Sequence, residues 1–221
     1  MTSLVTPVSA LKLASLKIKL SDITVVYINL DEDTSKRQKI ESMLGKYRFK
    51  EVLRLSATKA ETFIQGCTIS HARALEAAYQ VGGPVLILED DAIELNSLPE
   101  ELEIPDSTDA IYVGNYAIGL SEIHGSSQKW VVGPTQIQAN PISDGIYRVV
   151  SMLAAHAIIY VTDEYKKFAH RACKRAFEIS VPHDVLFSLG QTFYEVLVYD
   201  TPFFAQTSSL YHSIGTLSKK R

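Results

Sequence analysis

Apolar runs of strand length alternate along this chain with stretches of helical spacing, and polar or glycine-rich residues mark the changes. Ile23 to Leu30 is a continuous core strand in this reading, and Asp31-Glu32-Asp33-Thr34-Ser35 caps a helix through Ile40, Met43 and Leu44 to Gly45. Glu51 to Leu55 is a short second strand. A helix near Thr68 to Val81 follows, stopped by Gly82-Gly83-Pro84. Val85-Leu86-Ile87-Leu88 is next, a run suited to a strand covered on both faces, and it ends in Glu89-Asp90-Asp91. Ala110 to Gly114, Ala154 to Val161 and Phe193 to Tyr199 are further strands, with a helix from Thr162 through Phe168 and Cys173. Asn115 to Asp144 has no sustained period and reads as irregular, with a hairpin around Trp130 to Val132. No internal repeat is visible.

This alternation predicts an α/β fold: a single domain with a mainly parallel central sheet flanked by helices, spanning residues 23–221. Residues 1–22 read as an N-terminal extension. Their apolar positions suit an amphipathic surface helix, with a docking segment or tail as the plainer alternative. At 221 residues and 46% hydrophobic, the chain is long enough for one substantial core.

Charge narrows the partners. A net charge of −3 argues against a general nucleic-acid binder, which needs concentrated basic surface. Cys67 and Cys173 form no CxxC pair and read as buried thiols in a reducing compartment. No apolar run approaches the ~20 residues that span a bilayer. The expectation is a cytoplasmic protein with no transmembrane segment, its basic or amphipathic ends leaving peripheral contact with a membrane surface open.

The acidic run carries the chemistry. Open α/β sheets bind ligands outside the carboxyl ends of their strands, where Glu89, Asp90 and Asp91 fall. Three adjacent carboxylates repel one another unless a cation compensates, so the cluster suits Mg²⁺ or Mn²⁺; an acidic turn is the alternative.

A resemblance sharpens this reading. Gly66-Cys67-Thr68-Ile69-Ser70-His71, one helix and a turn before Glu89, joins Tyr27-Ile28-Asn29-Leu30-Asp31 and Arg37 upstream. Ala157-Ile158-Ile159-Tyr160-Val161, Val181-Pro182-His183-Asp184 and Pro202-Phe203-Phe204-Ala205-Gln206, ending in Ser213-Ile214, follow in order. Together these motifs resemble glycosyltransferase family 25, the lipooligosaccharide-type galactosyl- and glucosyltransferases of GT-A fold, over roughly Ile23 to Ile214.

The resemblance implies a metal-dependent transfer of galactose or glucose from a UDP-sugar to a glycan hydroxyl, with inversion. A non-catalytic nucleotide-sugar or glycan binding module on the same fold is the alternative. Asp91 is the expected metal ligand, and His212 would complete the metal sphere or face solvent. Asn29, Leu30, Arg37, Thr58, Ser70, His71, Glu89 and Asp90 are the candidate donor contacts. Arg37 would pair with phosphate or be an ordinary surface arginine, and Ser70 and His71 would open a helix whose N-terminus favours anions. Asp184 is the candidate base that takes the acceptor proton, the alternative being a helix N-terminal carboxylate. Tyr116 and Trp130 would stack on the acceptor sugar or belong to the core.

Overall fold

The computed structural model describes residues 14–114 and 138–206. Its centre is an eight-stranded mixed sheet between two layers of apolar packing. The first strand of the chain lies outside that sheet: β1 (Ser15–Lys19) pairs antiparallel with β6 (Glu101–Pro105). The amphipathic-helix reading of this segment is therefore corrected for residues 15–19. Leu16, Ile18 and Leu20 alternate with period two, and Ile18 and Leu20 are buried against Leu102 and Ile104.

The parallel part of the sheet follows. β2 (Thr24–Asn29), wholly buried, leads through α1 (Thr34–Leu44) to β3 (Glu51–Ser56) and then through α2 (Phe63–Val81) to β4 (Val85–Glu89). Both neighbours of β2 run parallel to it, in the order β3-β2-β4. The chain thus winds to one side of β2 and returns on the other. That reversal opens a crevice at the carboxyl ends of β2 and β4.

Beyond β4 the pairing becomes mixed. β5 (Ala92–Glu94) leaves the acidic turn, and after β6 come β7 (Ala110–Tyr112), β8 (Gln138–Ser143), β9 (Ile146–Ser151) and β10 (Ala157–Tyr160). α3 (Asp163–Glu178), α4 (His183–Gly190), β11 (Val196–Tyr199) and β12 (Phe204–Gln206) complete the described chain. β10 runs antiparallel between β4 and β7, β11 is parallel to β7, and the β8–β9 hairpin closes the edge. The expected irregular stretch from Asn115 to Asp144 accordingly ends in a strand at Gln138–Ser143. Gly145, at φ +72°, makes the tight turn into β9. The hairpin expected at Trp130 to Val132 lies outside the described residues.

Each long helix shows why it folds where it does. α2 begins at Phe63, five residues before the expected start, because Thr62 and Gln65 form a reciprocal capping box. Its buried face runs through Gly66, Ser70, His71, Ala74, Leu75 and Ala78. α3 starts at the Thr162 cap and buries Tyr165, Ala169, Ala172 and Cys173 in the same layer. Buried Lys166 donates from Nζ to the Gly83 carbonyl and to Asp163, fastening α3 to the turn that feeds β4. No helix among the described residues is long and apolar enough to cross a membrane.

Candidate active site at the carboxyl ends of the parallel strands

A cleft of ≈ 320 Å³ occupies the crevice at β2 and β4. Asn29, Leu30, Thr58, Ser70, His71, Glu89, Asp90 and Asp91 all line it, so the fold gathers most of the residues that the sequence nominated. Register explains the gathering. Asn29 sits opposite Ser56 and Ile28 opposite Glu89, so the ends of three strands deliver their polar residues together.

Within the acidic run the three carboxylates have different surroundings. Glu89 accepts hydrogen bonds from His71 Nε2 at 3.0 Å and from Gln206 Nε2 at 2.9 Å. Burial opposes its ionisation, but the His71 bond and the nearby histidines outweigh it and hold the carboxyl at about 2. Asp90 accepts from Asn29 Nδ2 at 2.8 Å and from Lys36 Nζ at 3.2 Å. Asp91 is pushed up to about 6, first by burial and then by the charge of Glu89, with Lys36 opposing. Glu89 and Asp90 thus accept from side-chain donors, and Asp91 is the carboxylate of the three whose ionisation burial opposes on balance.

Several nominated residues turn out to be struts. Asn29 is buried, donates to the Asp33 carbonyl and to Asp90, and accepts from Arg54, so its amide bonds inside the protein. Ser70 donates to the Gly66 carbonyl at 2.7 Å and accepts from the Thr58 N–H at 2.8 Å. It lies two turns inside α2, which removes the reading of Ser70 and His71 as a helix N-terminus. The latch brings the Thr58 loop so close that a Cβ on Gly66 would lie 2.7 Å from the Thr58 carbonyl oxygen. Only glycine fits there without a shift.

Arg37 does not line the cleft. Its Nε pairs with Glu41 at 2.9 Å one turn along α1, and the cation that reaches the acids is its neighbour Lys36. A helix turns about 100° per residue, so neighbours in sequence face different ways. Sequence reasoning also missed Phe63, highly exposed at the mouth of the cleft, and the Gln206 clasp on Glu89. The capping box would have located Phe63 at the start of α2. Cys67, expected to be packing only, lines the cleft.

Asp184 lies in the first turn of α4, outside the lining of the cleft. Its Oδ2 accepts from the Ala154 N–H at 3.0 Å, holding a residue whose φ is +74°. A non-glycine residue in that region is strained, and such strain persists only where the surroundings enforce it. Burial raises the Asp184 carboxyl above its ordinary range, while backbone N–H groups from Ala154 and Val185 oppose. Glu89 and His71 are near enough to influence it. His212, Tyr116 and Trp130 lie outside the described residues.

No family model and no curated protein matches the chain. Solved structures do resemble it at a distance. A glycosyltransferase involved in the glycosylation of the major capsid of PBCV-1 aligns over 84% of this chain and 92% of its own, at 10% identity and TM-score 0.47. The catalytic domain of Drosophila β1,4-galactosyltransferase 7, in complex with xylobiose, covers 90% and 76% at 11% identity and TM-score 0.44. A Vibrio cholerae nucleoside-diphosphate-sugar pyrophosphorylase covers 80% and 71% at 16% identity and TM-score 0.35.

Proposed function

We propose that this protein is a metal-dependent glycosyltransferase that moves a hexose, galactose or glucose, from a UDP-sugar to a hydroxyl of a glycan with inversion. The observation that carries the reading is the acidic run closing a cleft at the reversal point of β3-β2-β4. Nucleotide ligands bind at such crevices in open α/β sheets, and breaking the bond to a diphosphate leaves negative charge that a hard cation neutralises.

The donor set fits Mn²⁺ or Mg²⁺. Such ions are commonly held by one or two carboxylates together with substrate phosphates, and Asp91 is the carboxylate whose ionisation the cleft most resists without a counter-charge. When bound, the ion supplies charge neutralisation for the departing diphosphate. Lys36, beside Asp90, adds a cation that can reach phosphate oxygen. Thr58, fixed by Ser70, shapes the floor beneath the base and ribose, and exposed Phe63 offers a stacking face at the mouth.

Asp184 is proposed as the general base. It takes the proton of the acceptor hydroxyl as that oxygen bonds the anomeric carbon, while the bond from that carbon to the diphosphate oxygen breaks and UDP leaves with the electron pair. A buried carboxyl with a raised proton affinity suits that task. Tyr116 and Trp130 remain the proposed acceptor contacts, and His212 a proposed further metal ligand.

The test is a panel of nucleotide sugars incubated with and without Mn²⁺, reading release of the nucleoside diphosphate without acceptor and then with glycan acceptors. Metal-dependent release from UDP-galactose or UDP-glucose is expected. Nucleotide-sugar binding with no turnover on any donor would make the chain a binding module instead.

A further inference from the structure

Beside the acids, where Cys67 and His71 line the cleft, lies a second group of donors of different chemistry. Cys67 and His71 are one turn apart on α2 and share a face, and His183 opens α4 across from them. One ligand atom from each, the Cys67 sulfur and a ring nitrogen of each histidine, lie within 4.8 Å of one another. Both histidines are almost wholly buried, at 1% and 5% exposure, with ring centroids 4.2 Å apart.

Hydrogen bonding leaves one nitrogen of each ring available. His71 Nε2 donates to the Glu89 carboxylate, which leaves the lone pair on Nδ1; that buried atom has no hydrogen-bond partner. His183 Nδ1 meets Thr68 Oγ1 at 3.4 Å; with the hydroxyl oxygen accepting, Nδ1 carries the proton and the lone pair is on Nε2, which is again buried without a partner. Buried polar nitrogens are costly to leave unpaired, and a carboxylate or hydroxyl behind each imidazole is the usual support of a metal-bound histidine.

We propose that Cys67, His71 and His183 form a binding site for a borderline-soft divalent cation of the Zn²⁺ type, separate from the hard-cation position at Asp91. The ligand set is one thiolate and two neutral imidazoles, with Glu89 and Thr68 orienting the rings. Cys67 borders the cleft, so the fourth position of a tetrahedral ion opens to water or to a bound molecule. Ligand atoms around tetrahedral zinc sit about 3.3 to 3.7 Å apart, so loading draws these three inward by at most about 1.5 Å. Binding converts the Cys67 thiol to thiolate and releases its proton to solvent. The ion ties α2 to the first turn of α4, where Asp184 follows His183.

Cobalt reads this site directly, whatever the donor sugar proves to be. The full chain, reduced with a phosphine and stripped by chelator, is titrated with Co²⁺ under inert gas. The expected result is a thiolate-to-cobalt charge-transfer absorption with tetrahedral d–d bands, saturating at one equivalent and displaced by Zn²⁺. Cys67→Ser removes the charge-transfer band, His183→Ala weakens Co²⁺ binding by about 100-fold, and Cys173→Ser and Asp91→Asn keep the spectrum. Absence of the band from the wild-type protein overturns the proposal without reference to any variant. So does a weak octahedral spectrum, or a band that survives in Cys67→Ser. Loss of nucleotide-sugar turnover with an intact cobalt spectrum would count against the transferase reading alone.

Discussion

The parallel strands β3, β2 and β4 and the mixed strands beyond them hold their carboxylates in different ways. In the parallel part, Asp90 is bound by the side chains of Asn29 and Lys36, and Glu89 by His71 and Gln206. In the mixed part, Asp184 is held by the backbone N–H groups of Ala154 and Val185, and burial lifts its proton affinity. Charged and amide side-chain partners fix a carboxylate as a binding element. Burial, which the backbone donors of Ala154 and Val185 offset only in part, leaves Asp184 readier to take up a proton. Under the proposed roles, donor capture and proton removal fall to separate parts of the fold, and the two parts should respond differently to substitution.

The largest expected effect is in the mixed part. Asp184→Asn should lower transfer to acceptor by about 10² to 10⁴-fold with donor affinity nearly unchanged, as loss of a general base does. Steady-state kinetics with both substrates varied checks this, and a parallel collapse of donor affinity would place Asp184 in the binding site. In the parallel part, Asp91→Asn should weaken Mn²⁺-coupled UDP binding by about 100-fold, because the amide keeps the size and loses the charge. Calorimetry with and without Mn²⁺ decides it; unchanged coupling would remove Asp91 as a ligand.

A smaller effect should follow from Gly66→Ala. Alanine gains about 1 kcal/mol of helix propensity, but its Cβ meets the Thr58 carbonyl, and overpacking against backbone costs about 1 to 3 kcal/mol. The expected net loss, read by thermal or urea unfolding, comes with weaker UDP binding as the Thr58 loop is displaced. Stabilisation would show that this loop yields freely. Smallest is Lys36→Met, which should tighten Mn²⁺ alone by about fivefold, since a unit charge at contact distance in a solvated cleft is worth about 1 kcal/mol. The same variant should bind UDP less well. Metal affinity that falls instead would mean that Lys36 organises Asp90 rather than opposing the cation.

The two parts also differed in how far the sequence revealed them. β2 and β4 are buried on both faces, so their apolar runs and the acids that end them stand out, and with them the site's position. The amphipathic-helix reading of the N-terminal stretch fails at β1 because Leu4, Val8 and Leu11 suit helical spacing while Leu16, Ile18 and Leu20 alternate as a strand does; pairing with Glu101–Pro105 decides. The strand at Gln138–Ser143 was hidden because Pro141 and polar residues suit an edge strand, where the ladder is open on one side. The exchange of Arg37 for Lys36 is a matter of helix phase. The approach of His71 to His183 is a tertiary event between α2 and α4, and no spacing rule reaches it.

The Gln206 clasp on Glu89 has a consequence for assembly in time. The two residues are 117 positions apart, and β12 is brought to the acidic turn by pairing with β5 and by bonds to Val113. During synthesis at about 5 to 20 residues per second, β2, β3 and β4 emerge seconds before the strand that completes the surroundings of Glu89. A nascent chain can therefore fold β2, β3 and β4 early, yet the finished acid cluster belongs only to a chain from which Gln206 has emerged. Ribosome-stalled chains that end on either side of that residue, each followed by a spacer long enough to clear the exit tunnel, would show the site maturing in one late step.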